Sequence, residues 1–331
     1  MIIRSTSYAR AGLVGNPSDG YFGKTIAFIV KNFQAEVTLY ETPELKIMPS
    51  RRDHSVFDSI EQLSEDVTQF GYYGGIRLLK ATVKRFHDYC QQNRIELHKR
   101  NFTIRYTSNV PSQVGMAGSS AIITAGYRAL MSFYGITILP HVLANLVLSV
   151  ETDELGIPAG LQDRVIQAYE GMVYMDFDRS HFERHGFGRY EPIDPALLPK
   201  VYVAYTTTLS EGTEVFHNDI RGRFERGEPE VVESMSFWAD LAEQSHDLLL
   251  KGEGDKIGPL LDQNFDRRCE IYEMSEAMLH VVQTARNAGA SAKFTGSGGA
   301  IVGVYEDEAM YERLKATLEP IGMSVLKPTI V

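Results

Sequence analysis

Pro111-Ser112-Gln113-Val114-Gly115-Met116-Ala117-Gly118-Ser119-Ser120-Ala121 is the stretch that decides how this chain is read. It stands between a β-rich run, residues 102–106, and a stretch in which Ile122, Ala125, Leu130 and Phe133 recur at helical spacing. Glycines let a backbone turn tightly and approach a ligand. A helix starting near Ser119 adds unpaired N–H groups and the positive end of its dipole. A strand, a glycine turn and a helix start in that order suit an anion, most naturally a phosphate. The paired serines can cap the helix, bind phosphate oxygens or ligate Mg²⁺. The same string also suits a plain N-cap after a turn. No Gly-x4-Gly-Lys-Ser/Thr pattern occurs and the loop holds no lysine, which excludes the usual P-loop.

Two further glycine clusters lie far away in sequence. Lys293-Phe294-Thr295-Gly296-Ser297-Gly298-Gly299-Ala300 falls between two predicted strands. It holds more small residues than a hairpin needs, and close approach of backbone to a ligand explains the excess. A flexible hairpin is the plainer alternative. Gly12-Leu-Val-Gly15-Asn16-Pro17-Ser18-Asp19 reads on its own as a loop. The acidic candidates are Glu151, at the end of an apolar helix, and Asp163, in the first turn of the next. By themselves they suit an exposed helix-end carboxylate and a helix-start charge. The nine histidines form no HExxH pattern, which argues against a zinc-hydrolase type of metal site.

With 33 Lys+Arg against 43 Asp+Glu the chain carries a net charge of −10, a poor match for nucleic acid or an anionic membrane. Hydrophobic residues at 44% and charged residues at 23% fit a globular protein and exclude disorder and coiled coil. Two isolated cysteines, Cys90 and Cys269, point to a reducing compartment. The N-terminus shows no signal-peptide pattern and no run approaches a membrane span, so a cytoplasmic protein is expected. Strands are predicted over 2–8, 25–30, 35–40 and 102–106, and helices over 74–89, 119–133 and 140–151. A Gly-, His- and Pro-rich segment, 177–199, marks a boundary between domains 1–190 and 191–331. Beyond it a strand at 201–206 precedes helices 231–250, 257–274 and 275–288. The end reads as strands 292–294, 300–305 and 324–327 with a helix at 308–318. Strands and helices do not alternate regularly, so an α+β architecture is preferred to a doubly wound sheet.

Jointly, three segments resemble the GHMP small-molecule kinases. Arg10–Asp19 resembles the first motif of that family, Pro111–Ala121 the second and Lys293–Ala300 the third. They follow in the family's order and cover nearly the whole chain. Met116-Ala117 stands where Leu-Gly is usual. The resemblance implies a two-domain GHMP kinase fold: an N-terminal domain like the second domain of ribosomal protein S5, a ferredoxin-like C-terminal domain, and an active site between them. It also implies ATP and Mg²⁺. Pro111, Gly115, Met116, Ala117, Gly118, Ser119, Ser120, Gly296, Ser297 and Gly298 would hold the nucleotide phosphates. Ser120 and Glu151 would hold Mg²⁺. Asp163, 12 residues after Glu151 as in the galactokinase-like members, would take or orient the substrate's hydroxyl proton. Arg10 would keep it ionised.

The segments Arg10–Thr25, Gly71–Arg77, Gly160–Arg164 and Asn264–Arg268 narrow the resemblance to a branch acting on a sugar acid. The implied reaction is phosphorylation of the anomeric hydroxyl of D-glucuronate to the 1-phosphate. Its alternatives are another sugar (galacturonate, a neutral hexose, arabinose or a heptose phosphate) and a catalytically silent sensor. Arg10, Asn16, Ser18, Asp19, Tyr72, Tyr73, Arg77, Asp163, Arg164 and Thr295 are the expected substrate contacts. A uronate carboxylate calls for a cation, for which Lys24, Arg77 and Arg164 are candidates.

Overall fold

The computed structural model describes every residue except 51, 52, 54–58, 61–73, 208–218 and 331. The first half runs β1 (Ile2–Val14), β2 (Lys24–Thr42), β3 (Lys46–Ile47), α1 (Gly75–Gln92), β4 (Asn101–Ser108), α2 (Gly118–Tyr134), α3 (Pro140–Ser149), a π-helical turn (Val150–Glu154) and α4 (Gln162–Tyr169). Next come β5 (Met172–Asp176), α5 (Arg179–His185), β6 (Arg189–Ile193), β7 (Val201–Thr206), α6 (Ile220–Glu225), α7 (Pro229–Leu250) and α8 (Gly258–Ile271). The chain closes with α9 (Glu276–Asn287), β8 (Lys293–Phe294), β9 (Ala300–Val304), α10 (Glu308–Leu318) and β10 (Met323–Leu326). The architecture is α+β, as expected. Two compact units form, each from separated segments: Met1–Tyr8, Phe33–Val110 and Gly118–Ala159 in the first; Ala9–Asn32, Pro111–Ala117 and Gly160–Val331 in the second.

In the first unit the second half of β2 pairs antiparallel with β4, from Ala35 opposite Ser108 to Thr42 opposite Asn101. Helix α1 packs on α2. The spacing predicts a buried face of Ile76, Leu79, Val83 and Phe86, but the structure rotates it to Leu78, Leu79, Thr82, Phe86 and Cys90. Thr82 can join because its hydroxyl donates back to Leu78 O at 2.7 Å, leaving only its methyl to be packed. Phe86 stacks on Tyr134 with ring centroids 5.7 Å apart, and Phe102 meets Phe133 edge-on at 5.2 Å.

In the second unit Lys24–Phe28 of β2 pairs with β5, and β5 with β6. A separate antiparallel sheet has the order β10-β7-β9-β8. Trp238 of α7 is fully buried and donates its indole N–H to Asn264 O on α8 at 2.9 Å. Residue 190, where composition suggests a boundary, falls on β6.

Two strands are longer than their sequence signal. β1 continues through Ala9–Val14, all buried, although Ala, Arg and Gly carry little β propensity. β2 does not break at the polar residues Lys31, Asn32 and Gln34. The extra length of β1 is what places Arg10.

Candidate active site

Arg10 is buried on β1, with 5% of its surface exposed. Its Nε donates to Asp163 Oδ1 at 2.6 Å, and its Nη1 to Gly115 O at 2.5 Å and Thr295 O at 3.0 Å. One guanidinium thus ties together residues from all three glycine-bearing segments. Asp163 sits in the first turn of α4, and Arg164 Nη1 lies 3.2 Å from its Oδ2 while donating to Gly160 O at 2.7 Å. Burial alone would raise the Asp163 pKa. The facing charges of Arg10 and Arg164 and the hydrogen bonds it accepts outweigh burial and hold the carboxyl below its ordinary range. The ionised form, which can accept a proton, is favoured as a result.

Asp19 behaves oppositely. Its Oδ2 accepts from Gln162 N at 3.3 Å. Burial and the nearby Asp163 charge push its pKa up to about 6, against the pull of that N–H and of Arg10 and Arg164. A raised carboxylate pKa means that the folded state binds the proton more tightly than the unfolded chain. Asp19 therefore costs stability as pH rises from about 4 through about 6, and the cost is full above that, up to ~3 kcal/mol. Asp19→Asn should accordingly melt higher than the wild type at pH 8 and lose that advantage near pH 4. Melting curves across that range check it; a difference that does not change with pH would contradict the shift.

The glycine loops are closed on each other. Gly115 has φ +66°, and a Cβ there would lie 2.9 Å from Gly298 O and 3.0 Å from Ser297 N. A Cβ on Gly299, with φ +78°, would lie 2.9 Å from Val114 Cα. Packing of loop on loop thus accounts for much of the glycine excess assigned from sequence to a ligand. Within the phosphate-loop segment Ala117 is held at φ +62°, a left-handed conformation costing a residue with a Cβ about 1–2 kcal/mol. Its carbonyl accepts from Gln167 Nε2 at 2.9 Å. Ala117→Gly should relieve the strain while losing ~0.4–1 kcal/mol to chain entropy. The variant is expected to be at least as stable as wild type in urea; a clear loss would refute the argument.

The remaining sequence candidates separate. Met116 is buried and its carbonyl accepts Arg10 N at 3.2 Å; Pro111, Gly118 and Ser119 are partly exposed and Ser297 is exposed. Asn16, Ser18 and Thr295 are buried and engaged by protein. Asn16 Oδ1 accepts from Lys293 Nζ at 2.6 Å, Ser18 Oγ donates to Lys24 O at 3.0 Å, and Thr295 Oγ1 donates to Gly115 O at 3.2 Å. Lys24 is paired with Glu243 at 2.7 Å. Arg77, in the other unit, is exposed and donates Nη2 to Leu155 O. Tyr72 and Tyr73 lie outside the described residues.

Sequence reading assigned no role to Lys293 or Arg268, both buried here. Lys293 Nζ donates to Gly12 O, Asn16 Oδ1 and Phe294 O, and burial together with the Arg268 and Arg10 charges pulls its pKa well down. Arg268 Nη1 donates to Gly296 O at 2.8 Å. Four basic side chains thus gather near two carboxylates in a protein of net charge −10, which suits anionic reactants.

The first unit holds the expected metal ligands. Ser120, in the first turn of α2, and Glu151, on the π-turn, are 1% and 2% exposed. Sequence alone suggests an exposed helix-end carboxylate. Instead the wider turn, closed by Ile157 N donating to Glu151 O at 2.7 Å, keeps it buried. A hydroxyl and a carboxylate are hard oxygen donors that fit Mg²⁺. Among the described residues no group of three or more His, Cys, Asp or Glu forms a metal cage. An ion held by few protein ligands and by substrate phosphates needs none.

Residues 77–171 match the family model for the GHMP kinases N terminal domain. The chain is 43% identical to Glucuronokinase 1 of Arabidopsis thaliana over 306 residues, covering 91% of this chain and 84% of the relative. It belongs to the GHMP kinase family, with ATP as co-substrate. Probable glucuronokinase 2 of the same plant is likewise 43% identical, over 308 residues, 91% of this chain and 84% of the relative. In fold the chain resembles Lactococcus lactis galactokinase complexed with galactose, with a TM-score of 0.75 and 13% identity over 99% of this chain and 93% of that one. No helix among the described residues is long and apolar enough to cross a membrane.

Proposed function

We propose that the protein is an ATP-dependent sugar kinase that phosphorylates the anomeric hydroxyl of D-glucuronate, giving D-glucuronate 1-phosphate. The observation that carries the reading is the buried Arg10–Asp163 pair, joined through Arg10 to both glycine loops. The relatives named glucuronokinase supply the substrate class. Asp163 accepts the hydroxyl proton as the oxygen attacks the γ-phosphorus and the bond from that phosphorus to the β-phosphate oxygen breaks, releasing ADP. Arg10 holds that carboxylate ionised and in place. Pro111, Gly115, Met116, Ala117, Gly118, Ser119 and Gly296–Gly298 line the phosphate path, so positioning and electrostatics carry most of the rate. Asn16, Ser18, Asp19, Thr295 and Arg164 form the sugar side, and Tyr72, Tyr73 and Arg77 are assigned to it from sequence alone. Ser120 and Glu151 would hold Mg²⁺, which would neutralise charge on the nucleotide phosphates. We also assign the protein to the cytoplasm.

ADP release over a panel of uronic acids, neutral sugars and sugar phosphates tests the substrate. Preference for a neutral sugar would overturn the glucuronate assignment, and no turnover with any of them the kinase role. Ser120→Ala and Glu151→Gln should raise the Mg²⁺ needed for half-maximal rate at fixed ATP by about tenfold or more, because ligand charge sets much of the affinity. Unchanged half-saturation in both would return these residues to a structural role.

A further inference from the structure

Arg268 lies on α8 with 4% of its surface exposed, and its guanidinium is set against the rings of Tyr272 and Phe294, at 5.0 and 5.4 Å from their centroids. Among the described residues no carboxylate stands within ion-pair distance of it, and its Nη1 bond to Gly296 O is its only hydrogen bond. Nε is buried with no partner at all. A desolvated cation in that condition is costly, and an anion delivered to it would remove much of the cost. With Nη1 engaged, Nε and Nη2 form the open edge of the guanidinium. That edge carries two parallel N–H bonds, the pattern that matches the two oxygens of a carboxylate.

We infer that Arg268 recognises the carboxylate of the sugar-acid substrate. The inference rests on the glucuronate reading proposed above and says which cation makes it possible. Three other cations suggested by sequence are already engaged: Lys24 with Glu243, Arg164 with Asp163 and Gly160 O, and Arg77 with Leu155 O. Arg268 is the one left with an unused edge. It also lies close to the Arg10–Asp163 pair, since a Cβ on Gly296, whose carbonyl Arg268 holds, would stand 2.8 Å from Arg10 Nη1. The aromatic walls keep water away and strengthen the pairing.

A nucleotide phosphate offers the same chemistry, so the experiment separates the two sources. D-Glucuronate and D-glucuronamide differ in charge at nearly equal shape. Steady-state kcat/KM for both, with KM for ATP, is measured on the full chain as wild type, Arg268→Lys and Arg268→Met. The wild type should prefer glucuronate. Arg268→Met should lower the glucuronate-to-glucuronamide ratio about 30-fold or more, as expected when one partner of a desolvated charge pair is removed. Arg268→Lys, which keeps the charge but loses the planar edge, should fall between. KM for ATP should change little. An unchanged ratio in both variants overturns the inference, and a rise in KM for ATP with the ratio intact assigns the anion to a phosphate. Calorimetric titration of each sugar without ATP gives the same comparison where turnover is lost. A wild type that phosphorylates glucuronamide as well as glucuronate removes the need for any carboxylate clamp, whatever the variants do. A wild type that turns over neither sugar acid nor amide defeats the glucuronate reading itself.

Discussion

Asp163→Asn is expected to cut turnover about 10²–10⁴-fold while nucleotide affinity stays close to wild type. Asn keeps the shape of the side chain but loses the charge and the proton acceptor. In the folded protein that carboxylate takes Arg10 Nε on one oxygen and faces Arg164 Nη1 with the other. The amide can satisfy Arg10 only by turning its oxygen toward it, which sets its NH₂ group against Arg164. Breaking a buried pair from one side costs about 3–5 kcal/mol, so the variant should also melt lower, and assays belong well below its transition. Turnover within about threefold of wild type, a difference of well under 1 kcal/mol in the barrier, would remove Asp163 from the chemistry.

Arg10→Met should be nearly as damaging, for a different reason. Its two carbonyl partners keep other donors, Thr295 Oγ1 to Gly115 O and Gly12 N to Thr295 O, so the loops are not stripped. Asp163 is left with Arg164 as its remaining close cation, and burial then acts on it with less opposition. Its pKa should rise. Because the ionised form is the acceptor, the acid limb of the kcat/KM profile should move to higher pH, while an activity loss of about 10²-fold at neutral pH follows from the carboxylate losing the hydrogen bond that holds it in place. Arg10→Lys keeps a point charge and should move that limb much less. Loss of activity with an unmoved acid limb would mean that Arg10 positions the loops without controlling the ionisation of Asp163.

Both expectations could be framed from sequence, because the three glycine-bearing segments and the Glu151–Asp163 spacing are local patterns. A turn, a helix start and a small-residue loop each need particular residues at short range, and short-range steric and hydrogen-bonding rules can be read along the chain. The α+β class was legible for the same reason, as were α2, α3, α4 and the strands of the C-terminal sheet. Conformations set by distant partners were not. β1 runs on through Ala9–Gly12 without β-branched signal because its surroundings bury it. Glu151 reads as an exposed helix end and becomes a buried group only through a π-turn. Gly115 and Gly299 look like ligand contacts, yet each is crowded by the other loop, from more than 180 residues away. Asp19 reads in sequence as a loop residue and Asp163 as a helix-start charge, and neither pattern carries a sign of its titration. Arg10 and Arg164 act on both, but Asp163 also accepts a hydrogen bond from Arg10, while Asp19 has the Asp163 charge as its neighbour, and their pKa values shift in opposite directions. Arg268 shows the limit most clearly. Sequence marks its segment, but the unused edge of a buried guanidinium exists only once Tyr272, Phe294 and Gly296 have closed around it.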